Sequence, residues 1–401
     1  MKRSTLARFL PHAIIAGIAA VAAAGAFAGA RAVPMADGAD AYNAAGFVVR
    51  HAWVKFAHVS ARPFRDDLSA GEEDARVTRF FELNDLIGFN ERVADDAATE
   101  AALATEATGH AAAYRSERRS IENSVERILE GRLTEAIERA GLTRRAGGAI
   151  VWPPVSIEFE EPPAVLVTSP RKVIRKDGES LLQSDLPIER VQAIEAAAER
   201  DGRTSALVVR IGAIATYPAI VPPSADYHAT LETIAHEWMH HYLYFTPLGR
   251  RYYEAGDLTT LNETLANMAG RELACLLDPC GAAVRAEHAG AAPATQAFDF
   301  TTEMRGLRRA VEAMLERGEI EGAERLMEEK RRDFLDNDYY IRRINQAYFA
   351  FHGSYADSAG SIDPIGPKLN QLRKDSASLE EFIETAREFR SAADLDAALA
   401  R

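Results

Sequence analysis

Hydrophobic and polar positions change period twice along the chain. Between residues 38 and 146 the pattern is helical, and Ile121, Val125, Ile128, Leu129, Leu133 and Ile137 fall on one face. The turn-rich stretch GLTRRAGG, 141–148, predicts the end of that helix. From 149 to 221 the runs become short and β-branched. VSIEFEE, AVLVTS, KVIRK and SALVVRI, separated by Pro and Gly, predict strands of a small sheet. LPIERVQAIEAAAERDG predicts a helix among them, ended by Gly202. GAIATYPAIVPP predicts a further strand, which Pro218 confines to an edge or a bulge. Helical spacing returns after Pro222-Pro223, with one helix over about 227–245 and a second over about 259–277. An amphipathic helical pair follows a loop rich in Ala and Gly, and the charged run 378–399 is expected to be a peripheral helix. The fold class is therefore α+β, mostly helical. Its regions are an N-terminal segment 1–32, a helical region 33–148, a core 149–280 holding the sheet and two central helices, and a C-terminal helical region 281–401.

The opening residues read differently from the rest. Lys2, Arg3 and Arg8 precede a stretch, Phe9 to Ala30, without Asp, Glu, Lys or Arg, and AFAGARA then offers small residues at a cleavage site. This is the layout of a secretory signal peptide. The stretch is also long enough to cross a bilayer, so residues 9–30 either leave with the signal or tether the chain to the membrane. Both outcomes predict a body that is periplasmic, extracellular or held at the membrane surface. Cys275 and Cys280 are the only two cysteines. In an exported chain they either pair or remain two buried thiols.

Composition narrows the partners. The chain has 401 residues, 47% hydrophobic and 27% charged, which fits a globular protein. The formal charge of −13 repels a phosphate backbone, so nucleic acid is not an expected partner.

The chemistry concentrates in ETIAHEWMHHYLYF, 232–245. Positions i and i+4 of a helix share a face, so His236 and His240 can offer two imidazoles to one ion. Glu237, beside the first of them, can reach a water on that ion. This is the H-E-x-x-H arrangement of zinc sites, and it implies one Zn²⁺ per chain. A catalytic site of this kind takes a third protein donor and keeps a position for water. Glu263, in TTLNETLANMAGREL, stands at the start of the second helix and is the favoured third donor. Its competing reading is a helix cap, because Thr260-x-x-Glu263 fits a capping box. Glu254, Asp257, Glu272 and His288 are the other candidate donors. Leu243 and Thr246 exclude a third histidine at the spacing of the longer H-E-x-x-H-x-x-G-x-x-H motif. His51, His58 and His110 are scattered and are read as single surface or core histidines.

HEWMH followed by NETLAN resembles the gluzincin metallopeptidases, whose pattern is H-E-x-x-H and then N-E-x-x-A/S-D. The likeness is to a bacterial group of predicted envelope aminopeptidases, and it extends to RRINQAYFAFHGSY, 342–355. It covers about residues 205–355. It implies a zincin-like catalytic core with a small sheet, an active-site helix pair, and an edge strand that holds a peptide by β-addition. It maps His236, His240 and Glu263 as ligands and Glu237 as general base. The chain departs from the pattern at Asn267, where the family often carries an Asp bonded to the first histidine. Asn267 is then expected to accept the imidazole N–H without adding a charge. The oxyanion donor is sought in NQAYFAFHGSY, first at His352, then at Tyr348, with Tyr355 a further candidate. The expected function is a zinc-dependent peptidase of the cell envelope acting on peptides or proteins. The alternative is a zinc-stabilised binding or scaffold protein, and a helical membrane adaptor without metal is a third possibility.

Overall fold

A computed structural model describes residues 38–51, 68–96, 100–145, 149–254, 256–279 and 298–400. The N-terminal segment 1–32, His58, Cys280 and His288 lie outside the described residues. Among the described residues no helix is long and apolar enough to cross a membrane.

The expected α+β, mostly helical architecture is present, with a small sheet. Helices α1 (Ala70–Asp96) and α2 (Ala101–Arg139) pack side by side. Val125, Leu129, Leu133 and Ile137 on the apolar face of α2 are fully buried. Gly141, at φ 80°, ends α2, because the next amide, Leu142 N, must turn back to the Ile137 carbonyl at 3.1 Å.

Besides a two-residue antiparallel ladder of 144–145 with 149–150, the strands of the described residues form two patches. β1 (Ile157–Phe159) runs parallel to β5 (Ala219–Val221). β2 (Ala164–Pro170) is the centre of an antiparallel sheet between β3 (Gly178–Leu182) and β4 (Thr204–Arg210). One face of this sheet packs on α3 (Ile188–Ala198) through Leu166, Leu182 and Ala206. The other carries Val165, Val167 and Leu207 against α9 (Gln346–His352).

Two strand expectations are corrected. KVIRK, 172–176, is a loop, and the neighbouring GESLL is the strand. Ser169 explains it: its hydroxyl accepts the Arg175 N–H and donates to the Val173 carbonyl, both at 3.1 Å, which turns the chain before pairing begins. In GAIATYPAIVPP only Ala219–Val221 is strand. Residues 214–220 fold back through an Ile214–Ile220 bridge, and Thr216 Oγ1 donates to the Pro218 carbonyl at 2.7 Å.

The central helices are α4 (Tyr227–Leu243) and α6 (Gly256–Leu277), with the short α5 (Pro247–Arg250) between them. Then come α7 (Phe300–Glu316) and α8 (Ile320–Leu335), the expected amphipathic pair, which close a second core around Met304, Val311, Met327 and Phe334. The chain ends with α10 (Ile365–Asp375), α11 (Leu379–Ala386) and α12 (Ala392–Leu399). The run 378–399 is not peripheral. Phe382, Ile383 and Leu395 are fully buried in the same core as Leu133, Trp238 and Leu265.

Candidate metal centre

Helix α4 starts where Asp226 accepts the Ala229 N–H at 2.9 Å. Leu231, Ile234, Ala235, Trp238, Met239 and Tyr242 then bury one side of it. Trp238 Nε1 donates to the Pro153 carbonyl at 2.8 Å, so even the polar edge of that ring is satisfied. His241 Nε2–H donates to the Thr216 carbonyl at 2.7 Å and pins the 214–220 turn to the helix. Burial lowers its pKa to about 4, so the ring is neutral at pH 7.

His236 and His240 occupy the other side, facing a cleft. Helix α6 returns antiparallel: His228 in the first turn of α4 meets Asp278 past the end of α6, while His240 meets Asn262 near its start. Glu263, Asn267 and Gly270 fall on the α6 face turned to α4 or the cleft. A Cβ on Gly270 would stand 2.9 Å from the Glu232 carbonyl oxygen and 3.3 Å from His236 N. Glycine is therefore what allows the two backbones to come this close.

This approach brings three donors together. The two histidine Nε2 atoms are 2.9 Å apart, and each lies 3.5 Å from Glu263 Oε2. Ligand atoms about 2 Å from one tetrahedral zinc stand about 3.4 Å from each other, so the spacing fits such an ion. Glu263 Oε2 is buried and has no hydrogen-bond partner, the state of an oxygen whose partner is an ion. Burial alone would raise the Glu263 pKa, but His240 and His236 outweigh it and hold the carboxylate well below its usual range. Burial likewise pulls His240 down, yet the Glu263 carboxylate more than offsets this and lifts the ring to about 9. The residues present suit a borderline divalent cation held by two imidazoles and a carboxylate.

The capping-box reading of Glu263 does not survive. Helix α6 begins at Gly256, which puts Glu263 two turns inside it, and the Thr260 hydroxyl donates to the Gly256 carbonyl. The competing donors are engaged elsewhere. Glu254 pairs with Arg251, Asp257 accepts the Ala392 N–H, and Glu272 grips Arg373 through both oxygens.

Glu237 also lines the cleft and is almost wholly buried. Desolvation raises its pKa, while His236 and His240 oppose the rise. Asn267 is not where the resemblance put it. Its Nδ2 donates to Asp357 at 3.0 Å, and Arg271 holds the same carboxylate. The side chain bonded to a candidate ligand histidine is Asn262, whose Oδ1 accepts the His240 Nδ1–H at 2.9 Å.

The three candidate oxyanion donors separate. Tyr348 packs into the contact between α9 and the sheet and does not line the cleft. His352 lines the cleft, and burial lowers its pKa to about 4. Tyr355 also lines the cleft. The Glu263 carboxylate, then burial, then Glu237 raise its phenol well above the usual value. Its loop is fixed to α6, since Ala356 N–H donates to Thr264 Oγ1 at 3.1 Å and Asp357 holds Asn267 and Arg271.

Two contributors escaped the sequence reading. Asn262 left a signal as the Asn of NETLAN, next to Glu263, and it is 2% exposed. Tyr252, whose hydroxyl donates to Glu263 Oε1, lies in a short turn and left none. No family model, curated protein or solved structure matches this chain.

Proposed function

We propose that the protein is a zinc-dependent peptidase of the cell envelope. The observation that carries this reading is the unpartnered Glu263 Oε2, buried against two histidine Nε2 atoms, with the Glu237 carboxyl beside them in an open cleft. A zinc ion held there would supply Lewis-acid chemistry, polarising a carbonyl and lowering the pKa of water so that hydroxide forms near neutral pH.

The chain's own groups have these tasks. His236, His240 and Glu263 hold the ion. Asn262 fixes the tautomer of His240 by accepting from Nδ1, which leaves Nε2 free to coordinate. Glu237 takes the proton of the attacking water and passes it to the leaving amine. Its desolvated carboxyl is suited to both steps, because burial raises its pKa above the ordinary carboxylate value. We assign oxyanion donation to Tyr355 Oη–H ahead of His352 and Tyr348, because it lines the cleft and its phenol feels the charges of Glu263 and Glu237.

The cleft supports an extended chain as substrate. Its volume, about 1740 Å³, exceeds the roughly 300–1,000 Å³ of a small-molecule pocket. The outer edge of β4 is sealed at Ala206 and Val208, whose backbone groups are taken by Glu199, Asn345, Glu195 and Arg342. The seal ends there. By the two-residue period of a strand, Arg210 presents its backbone to the same side, and residues 210–215 line the cleft. A peptide laid along them would add as a strand.

Zinc content and digestion of a peptide library, measured on wild type, Glu263→Ala and Glu237→Gln, test the proposal. Glu263→Ala is expected to lose metal and activity together. Glu237→Gln is expected to keep about one zinc per chain while turnover falls by about 10²- to 10⁴-fold. Full zinc in Glu263→Ala would refute the ligand assignment. Unchanged hydrolysis in Glu237→Gln would refute the catalytic role and leave a zinc-stabilised scaffold.

A further inference from the structure

Among the groups around the three donors, Tyr252 stands out because it touches two of them. Its hydroxyl donates to Glu263 Oε1, and its ring meets the His240 ring edge-on, with centroids 6.2 Å apart and planes at 87°. Its backbone is held as well. Thr259 Oγ1, one turn before Glu263 on α6, donates to the Tyr252 carbonyl at 2.5 Å. The turn is thus fastened to the helix that carries the carboxylate, and the phenol reaches back to one oxygen only.

Resting on the metal reading above, we infer that Tyr252 is a positioning residue that makes Glu263 a one-oxygen ligand. The two oxygens of Glu263 have different surroundings. Oε1 is taken by the phenol, while Oε2 has no hydrogen-bond partner and faces both imidazoles. A carboxylate free at both oxygens can swing to grip a cation with both. That would add a fourth protein donor where a hydrolytic site needs a position for water. Tyr252 blocks the swing by occupying Oε1. Asn262 does the equivalent for His240, fixing which nitrogen is presented. The two outer contacts thus orient the two ligands that α4 and α6 face towards each other.

The test measures metal binding and needs no substrate. Zinc affinity is read by competition with a chromophoric chelator, and the coordination number from the visible absorption of the cobalt-substituted protein. Wild type, Tyr252→Phe and the neighbouring Tyr253→Phe are compared. Tyr252→Phe is expected to lose about 10- to 100-fold in zinc affinity, the usual cost of removing a partner of a ligand. Its cobalt band is expected to weaken, as it does when a fifth donor joins a four-coordinate ion. Tyr253→Phe is expected to behave as wild type in both. Should Tyr252→Phe fail to fold, Thr259→Val, which frees the Tyr252 carbonyl but keeps the phenol, is expected to shift both readouts the same way by less. Wild-type affinity together with a wild-type cobalt band in Tyr252→Phe would overturn this inference alone. A wild-type protein that takes up no metal would overturn the metal reading, and this inference with it.

Discussion

Gly270→Ala puts one methyl group where α4 and α6 are closest. The new Cβ would stand 2.9 Å from the Glu232 carbonyl oxygen and 3.3 Å from His236 N, both backbone atoms inside a helix. No side-chain rotation relieves such a contact, so the helices must part. Ordinary contact begins near 3.4 Å, which asks for a separation of about half an ångström. Glu263 lies two turns away on the same helix, about 10 Å along its axis, and moves with it. Metal–ligand distances tolerate only about 0.2 Å. Two costs of opposite sign act on stability. Overpacking destabilises by about 1–3 kcal/mol, and replacing a mid-helix glycine by alanine returns about 0.5–1 kcal/mol. The variant should therefore melt modestly below wild type without metal, yet bind zinc at least about tenfold more weakly, a loss typical when the support of a ligand is disturbed. Gly131→Ala in α2 is the control. Nothing lies within 4 Å of its added Cβ, so the helix gain stands alone and the melting temperature should rise. Calorimetry without metal and a zinc competition assay on both variants decide the matter. Wild-type zinc affinity in Gly270→Ala would refute the claim that helix spacing there sets the site.

Metal removal should destabilise the fold, because an ion that binds only the folded chain stabilises it by about 2.7 kcal/mol at a hundred times its Kd. A melting midpoint that does not change between chelator and excess zinc would contradict a metal held by α4 and α6 together. Glu195→Ala should cost about 2–3 kcal/mol, less than a fully buried pair because Arg342 and Arg343 are about a third exposed. It also strips the cover from Val208 N–H, so light scattering should show self-association through the β4 edge. A soluble variant of wild-type stability would contradict the sealed edge.

What the sequence made legible follows from the range of each signal. The apolar face of α2 and the H-E-x-x-H pair rest on i and i+4 spacing within one helix, and both appear as expected. The Glu263 contact needed two helices to meet, but the segment between them is short, so few geometries were open. The run 378–399 was misplaced because its charge drew attention from Leu379, Phe382, Ile383 and Ala386, a buried stripe at helical spacing. KVIRK has the residues of a strand, yet one hydroxyl at Ser169 decided for a loop. Asn267 was assigned by analogy at a fixed offset from Glu263. Asp357, distant in sequence, claimed its side chain instead.

The same long-range tie shows how the cleft is assembled. Asp357, Ala356 and Tyr355 are consecutive, and the first two are bonded to Asn267, Arg271 and Thr264 on α6. One short loop thereby delivers the Tyr355 phenol to the carboxylates of α4 and α6. Had Asn267 been an aspartate bonded to His236, it would have repelled Asp357 rather than donated to it. The neutral side chain of Asn267 supplies a donor that anchors the Tyr355 loop.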